Sequence, residues 1–311
     1  MGKRIWAVAT SLTLSVLLAG SAAGLTSRAI YDNIPAPLPG NLRSLGFEAT
    51  STSEFGDRVG FTGTERALTV VTLVMSSWGC QTGHWTTGDC ATTPGATFSH
   101  PVTLNLYRVG AASAPGASIG TVTQTFAMPY RPSADPAHCT AGRWFDAGSA
   151  TCFNGKAFTI TFDLTSQHVV LPDQIIFGIA YNTTHFGYSP IGASACSATA
   201  AGCGYDSLNV GLANPATTLS AGVNPAPSDA YLNSKSAGEY CDNGAGGTGT
   251  FRLDVGCWTP YKPAIQFTAT AVAVPAPTTK GQCKDDGWMR FNDPSFKNQG
   301  ECVAYVEHLQ P

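Results

Sequence analysis

Ten cysteines fall along this 311-residue chain as five close pairs: Cys80 and Cys90, Cys139 and Cys152, Cys196 and Cys203, Cys241 and Cys257, Cys283 and Cys302. An even number at short spacing reads as a disulfide framework. Sequential pairing is the arrangement the spacing favours, and each bond then closes a short loop, contributing about 2–3 kcal/mol in the chain-entropy view. A zinc site would gather Cys-x-x-Cys pairs, and none occurs. With every cysteine bonded, no thiol remains to act as a nucleophile. Disulfides persist in oxidising compartments, so the expected location is outside the cytoplasm.

The first residues agree with that location. Lys3 and Arg4 precede an apolar stretch from Ile5 to Leu18, and Ser21-Ala22-Ala23 supplies small residues for cleavage. Residues 1–23 are expected to be a secretory signal peptide cut after Ala23. The apolar stretch is too short to span a bilayer comfortably. No second long apolar segment follows, so no transmembrane segment is expected after the signal is removed. Without Lys3 and Arg4 the chain holds 15 basic residues against 20 acidic, a net charge of −5. Nucleic acid needs a clustered basic surface, so it is not an expected partner. Charged residues make up 12%, against about 25% in an average domain. The deficit leaves few groups for acid–base chemistry.

From Ile30 to about Val274 the pattern is that of strands. Phe158, Ile160, Phe162 and Leu164 alternate with polar neighbours, as do Val102, Leu104 and Leu106, then Phe251, Leu253 and Val255, and the stretch Ile265 to Ala271. Period two with one apolar face marks a half-buried strand. Leu68 to Met75 and Ile175 to Tyr181 are apolar on both faces and are expected at sheet centres. The expected fold is all-β, a disulfide-stapled β-sandwich of jelly-roll-like type over residues 24–274. Val274-Pro-Ala-Pro-Thr-Thr279 reads as a linker at 275–279. Residues 280–311 then form a small helical module: Thr279 with Gln282, and Asn298 with Glu301, have the spacing of helix caps. Trp288, Phe291 and Phe296 offer a miniature core beside Cys283–Cys302, suiting a unit too small to fold on burial alone.

Several motifs run together along the chain: Tyr31-Asp-Asn-Ile-Pro, Gly46-Phe-Glu-Ala, Glu54-Phe-Gly-Asp57, Met75-Ser-Ser-Trp-Gly-Cys80, Gly204-Tyr-Asp-Ser-Leu-Asn-Val210 and Gly256-Cys-Trp258. With them the chain resembles a family of uncharacterised secreted bacterial β-sandwich proteins. Its tail, Gln282-Cys-Lys, Gly287-Trp288 and Phe296-Lys-Asn-Gln-Gly300 through Cys302-Val, resembles a short C-terminal module that recurs on such exported proteins. The resemblance implies export and a sandwich body, and implies no activity.

Familiar catalytic signatures are missing or misplaced. Gly244-Ala-Gly-Gly-Thr-Gly249 matches G-x-G-x-x-G, but Cys241 precedes it and a strand follows, whereas a dinucleotide site needs a strand before and a helix after. His84, His100, His138, His168, His185 and His308 are scattered, with no His-Glu-x-x-His. Glu48, Glu54, Asp57 and, on a late strand, Asp254 offer oxygens for a structural calcium ion, or serve as turn carboxylates paired with arginine. Two carboxylates across a cleft, with Asp163 and Asp254 the clearest, would suit glycoside hydrolysis. The aromatics are more suggestive. Trp78, Trp85, Trp144 and Trp258 lie inside or beside disulfide loops, and Tyr130, Phe145 and Tyr188 lie at strand ends. Such rings either pack over their own disulfides or form a rim that stacks on sugars. The functional expectation is therefore non-catalytic binding of a polysaccharide or cell-envelope surface. An extracellular structural protein and a secreted hydrolase are the alternatives.

Overall fold

The computed structural model describes residues 26–85, 87–182, 208–292 and 294–309. The chain divides into a large unit, Thr26–Val272, and a small one from Ala273 onward. Residues 1–23, Tyr188 and the pair Cys196–Cys203 lie outside the described residues.

Fifteen strands are present among the described residues of the large unit. They are β1 (Arg28–Asp32), β2 (Ser44–Gly46), β3 (Thr52–Gly60), β4 (Ala67–Ser77), β5 (Thr97–Val109), β6 (Pro115–Pro129), β7 (Trp144–Asp146) and β8 (Thr151–Phe153), then β9 (Lys156–Asp163), β10 (Gln174–Ala180), β11 (Leu208–Ala213), β12 (Asp229–Ser234), β13 (Arg252–Val255), β14 (Lys262–Pro263) and β15 (Ile265–Thr270). One sheet runs β13-β12-β3-β10-β5-β6. The other is built on β4, whose length lets β15 and then β11 share one edge while β9 takes the other. β1 closes that sheet at one side, and β2 and β14 pair with β11. The chain changes sheet between β2 and β3, β3 and β4, β4 and β5, β9 and β10, β10 and β11, β11 and β12, and β13 and β14, and between β6 and β9 by way of the β7–β8 hairpin. The result is the expected all-β sandwich with jelly-roll-like crossings.

Burial follows the alternation on most strands; β13 reverses it, with Asp254 buried by its contacts to Cys241 and Trp258 and Val255 exposed. On β5, Phe98, His100, Val102, Leu104 and Leu106 point inward, and on β9 Ile160 and Phe162 do so. The double-sided apolar runs sit where they were expected: β4 lies between two strands, and β10 lies between β3 and β5. The inner faces meet in one core that includes Phe55, Val71, Leu73, Phe162, Phe177 and Phe267. Phe47 stacks on Tyr181 with ring centroids 4.0 Å apart, closing one region of it.

Four of the expected disulfides are formed: Cys80–Cys90, Cys139–Cys152, Cys241–Cys257 and Cys283–Cys302. Their Cα separations are 5.4, 5.8, 5.6 and 5.7 Å, inside the range an unstrained bridge needs.

The small unit holds two short helical turns, Lys280–Cys283 and Gly287–Arg290, and a helix Gln299–Leu309. The Asn298 side chain accepts the N–H of Glu301, and the Glu301 carboxylate accepts the N–H of Lys297. Gln282 accepts the N–H groups of Thr278 and Thr279. Both caps thus use the residues their spacing indicated. Cys283, Phe291, Cys302 and Val306 form the core. The unit begins earlier than the linker reading implied, because Val274 packs on this core and its N–H donates to Asn292. No helix among the described residues is long and apolar enough to cross a membrane.

Candidate functional site

Two disulfide loops meet at one place on the large unit. The first, closed by Cys80–Cys90, carries Trp85 and has Trp78 just before it; the second, closed by Cys139–Cys152, holds the hairpin of β7 and β8. A two-stranded hairpin is marginal alone, so its position depends on what it touches. Three contacts fix it. The indole Nε1 of Trp144 donates to the Gly155 carbonyl at 2.7 Å. Gly142 has φ of +65° and lies so close to Gly88 that an added Cβ would come within 2.4 Å of the Gly88 Cα. Arg131, fully buried, donates its backbone N–H to Gly79 and its guanidinium to the carbonyls of Gly142 and Pro132. Burial pulls the Arg131 pKa down to about 10, so it stays charged while binding the carbonyl dipole of Gly142 in the second loop and that of Pro132.

Beside this junction lies a cleft of about 660 Å³, a size that takes a small ligand. Its walls are Tyr130, Trp144 and Phe145, with Pro94, Pro129, Pro132 and Pro136, and its polar rim includes Ser133, Asp135 and Lys156. Trp144 is only 6% exposed and is part of the cleft lining. The Lys156 ammonium sits 5.8 Å from the centroid of that ring, within cation–π range. Phe145 stacks on His138 at 4.7 Å, and His138 in turn bonds Asp135 at 2.8 Å. Asp135 also accepts the N–H groups of Ala137 and His138, and its pKa is lowered, chiefly by the His138 contact. It is a structural cap, with its oxygens already engaged. The Tyr130 pKa is raised by burial, so its hydroxyl keeps its proton as a donor across the physiological range.

No family model, curated protein or solved structure matches this chain.

The remaining expected site residues are dispersed. Trp78 and Trp85 stand perpendicular, at 85° and 4.7 Å, so they do not form one flat surface. Trp258 leans on Phe55 in the core and donates Nε1 to Asp254 at 2.7 Å. Of the tryptophans proposed for a rim, Trp144 is the one that lines the cleft. Among the described residues, the four acids offered for calcium do not come together as one group of ligands. Asp254 is buried and accepts the N–H of Cys241 with both oxygens, along with the Trp258 indole. Cys241 and Cys257 lie close to it, but their sulfurs are joined to each other. Glu54 and Asp57 are three apart on β3 and face opposite sides of the sheet; Asp57 meets Lys262. Glu48 lies in the turn after β2. Asp163 and Asp254 belong to different sheets, and exposed Asp163 caps Thr165.

Glu54 heads a polar network that the sequence did not single out. Its Oε1 accepts from Asn105 Nδ2 at 2.8 Å and from the Tyr107 hydroxyl at 3.0 Å, and Thr121 donates to Asn105 at 3.0 Å. Burial raises the Glu54 pKa, while those two hydrogen bonds oppose the rise. A Cβ at Gly178 would lie 2.1 Å from that carboxylate, so a larger residue there would displace it. The alternation of Thr103, Asn105 and Tyr107 with apolar residues on β5 was the available signal. Arg131 gave no such signal, because its role depends on two loops that meet only in the fold.

Proposed function

We propose that this chain is an exported, non-catalytic binding protein that holds a carbohydrate, either a polysaccharide or a cell-envelope glycan, in the end cleft. The observation that carries the reading is the cleft's composition: three aromatic side chains and four prolines around a void of about 660 Å³, with a lysine ammonium and a tyrosine hydroxyl at its edge. Aromatic faces suit the C–H faces of a sugar ring, and the Tyr130 hydroxyl and Lys156 supply donors for ring hydroxyls. Prolines and two disulfides keep the walls in place, so little order has to be imposed on binding. Among the described residues, the carboxylate lining the cleft is Asp135, occupied by its own loop. That supports holding a glycan rather than cleaving it, since cleavage calls for two acids facing the bond. Four disulfides suit export, as does the signal-like sequence at residues 1–23.

The test is depletion of the purified protein by insoluble polysaccharides and isolated cell walls. The unaltered protein is expected to bind at least one of them. The Tyr130→Ala/Phe145→Ala double variant, folded by its melting profile, is expected to lose at least tenfold in affinity. Equal depletion of both proteins, or depletion of neither, overturns the proposal.

A further inference from the structure

Lys262 and Asp57 face each other inside the sandwich, 0% and 1% exposed, with Nζ 3.6 Å from Oδ1. Asp57 is on β3 of one sheet and Lys262 on β14 of the other. Lysine is almost never fully buried without a strong partner. A strong ammonium–carboxylate bond is about 2.7–2.9 Å long, and this contact is longer. No hydrogen bond of good geometry reaches either Asp57 oxygen, and the Arg58 backbone N–H and the Lys262 amine are the donors near them. The Lys262 amine instead donates to the carbonyls of Ala226 and Asp229. A neutral amine has two hydrogens. With both given to those carbonyls, its lone pair is left for the Asp57 side.

We propose that Lys262 and Asp57 join spontaneously as an isopeptide bond that ties the two sheets together. The lone pair of the neutral Nζ attacks Cγ of the protonated carboxyl. A C–N bond forms, the C–OH bond breaks, and the hydroxyl leaves with one Nζ proton as water. The product amide keeps the other proton, and no oxidant or co-reactant is needed. An ion pair and a neutral acid–amine pair carry the same number of protons, and burial away from water favours the neutral form. Both groups are shifted that way: burial raises Asp57 to about 7 against the pull of Lys262, and burial lowers Lys262. The Tyr31 hydroxyl is also buried and without a hydrogen-bond partner. Burial first, then the charges of Asp57 and Asp32, push its pKa far up. It keeps its proton and stays a neutral neighbour of the pair. Asp229 lies near the pair as well, but it is its backbone carbonyl that receives the amine.

The experiment is the intact mass of the full chain, reduced and denatured. It is expected to be lighter by one water molecule than the mass of the sequence from its determined N-terminus, and proteolysis should release a branched peptide joining the β3 segment to Lys262. Asp57→Ala and Lys262→Arg should each restore the full mass. A mass equal to that of the sequence, with no branched peptide, overturns the proposal and leaves an ion pair. Loss of water that persists in either variant also overturns it, since the loss then arises elsewhere, as in a succinimide at Asp286–Gly287.

Discussion

Replacing Cys283 and Cys302 by alanine should unfold the small C-terminal unit while the sandwich stays folded. The bridge spans a sequence separation of 19, and closing a loop of that size limits the unfolded chain by about 3 kcal/mol. Against this stands a core of four buried side chains, two of which are the cysteines themselves. Units of this size rarely gain more than about 3–5 kcal/mol from burial. The cap formed by Asn298 and Glu301 adds about 1 kcal/mol, and the bridge therefore accounts for most of the margin. Hydrogen exchange read by mass spectrometry resolves the outcome, because the helix Gln299–Leu309 yields its own peptides. Its amides should lose protection in the variant, while peptides of β4 and β10 exchange as before. Trp258, packed on Phe55, gives an independent fluorescence report on the sandwich. Retained protection in the helix would refute the reasoning that local sulfur bridges, rather than burial, hold this unit.

Three further outcomes follow from single contacts. His100, turned into the core against Tyr181, has its pKa lowered by burial to about 4 from an ordinary 6.5; the unfolded chain therefore binds the extra proton first, and stability is full above pH 6.5 and falls as pH drops toward 4. Comparing urea midpoints across that window, His100→Phe should remove up to about 3 kcal/mol of the fall; an unchanged pH profile would contradict the assignment. Asp254→Ala strips the acceptor from Cys241 N–H and the Trp258 indole and should cost about 3 kcal/mol in equilibrium unfolding, with a loss below about 0.5 kcal/mol counting against a structural role. Gly142→Ala puts a Cβ within 2.4 Å of the Gly88 Cα and should destabilise by about 1–3 kcal/mol; calorimetry that finds no change would mean the two loops do not touch.

The sandwich was legible because its strands follow simple burial rules. β9, β10 and β15 stand where alternating or double-sided apolar runs lay, and four cysteine pairs closed as neighbours. The caps of the small unit were legible for the same reason: they depend on residues three apart. The site was less so. Tyr130, Trp144 and Phe145 were visible as aromatics near strand ends, but no local rule says which tryptophan faces the cleft and which, like Trp258, props the core. Asp57 was read as a calcium ligand or a turn carboxylate, and its inward side follows only from the phase set by Phe55 and Val59 on the same strand. Lys262 and Asp57 are more than 200 residues apart in sequence, and β14, with two residues, is too short to announce itself.

The account rests on the cleft being the place where ligand sits. Incorporating fluorotryptophan and recording fluorine spectra while soluble glycans are titrated tests this directly, because each indole reports separately. The Trp144 resonance is expected to shift and saturate with a glycan that binds, while those of Trp258 and Trp288 stay fixed. Saturable binding with the Trp144 resonance unmoved, or no saturable binding across the glycan panel, would contradict it.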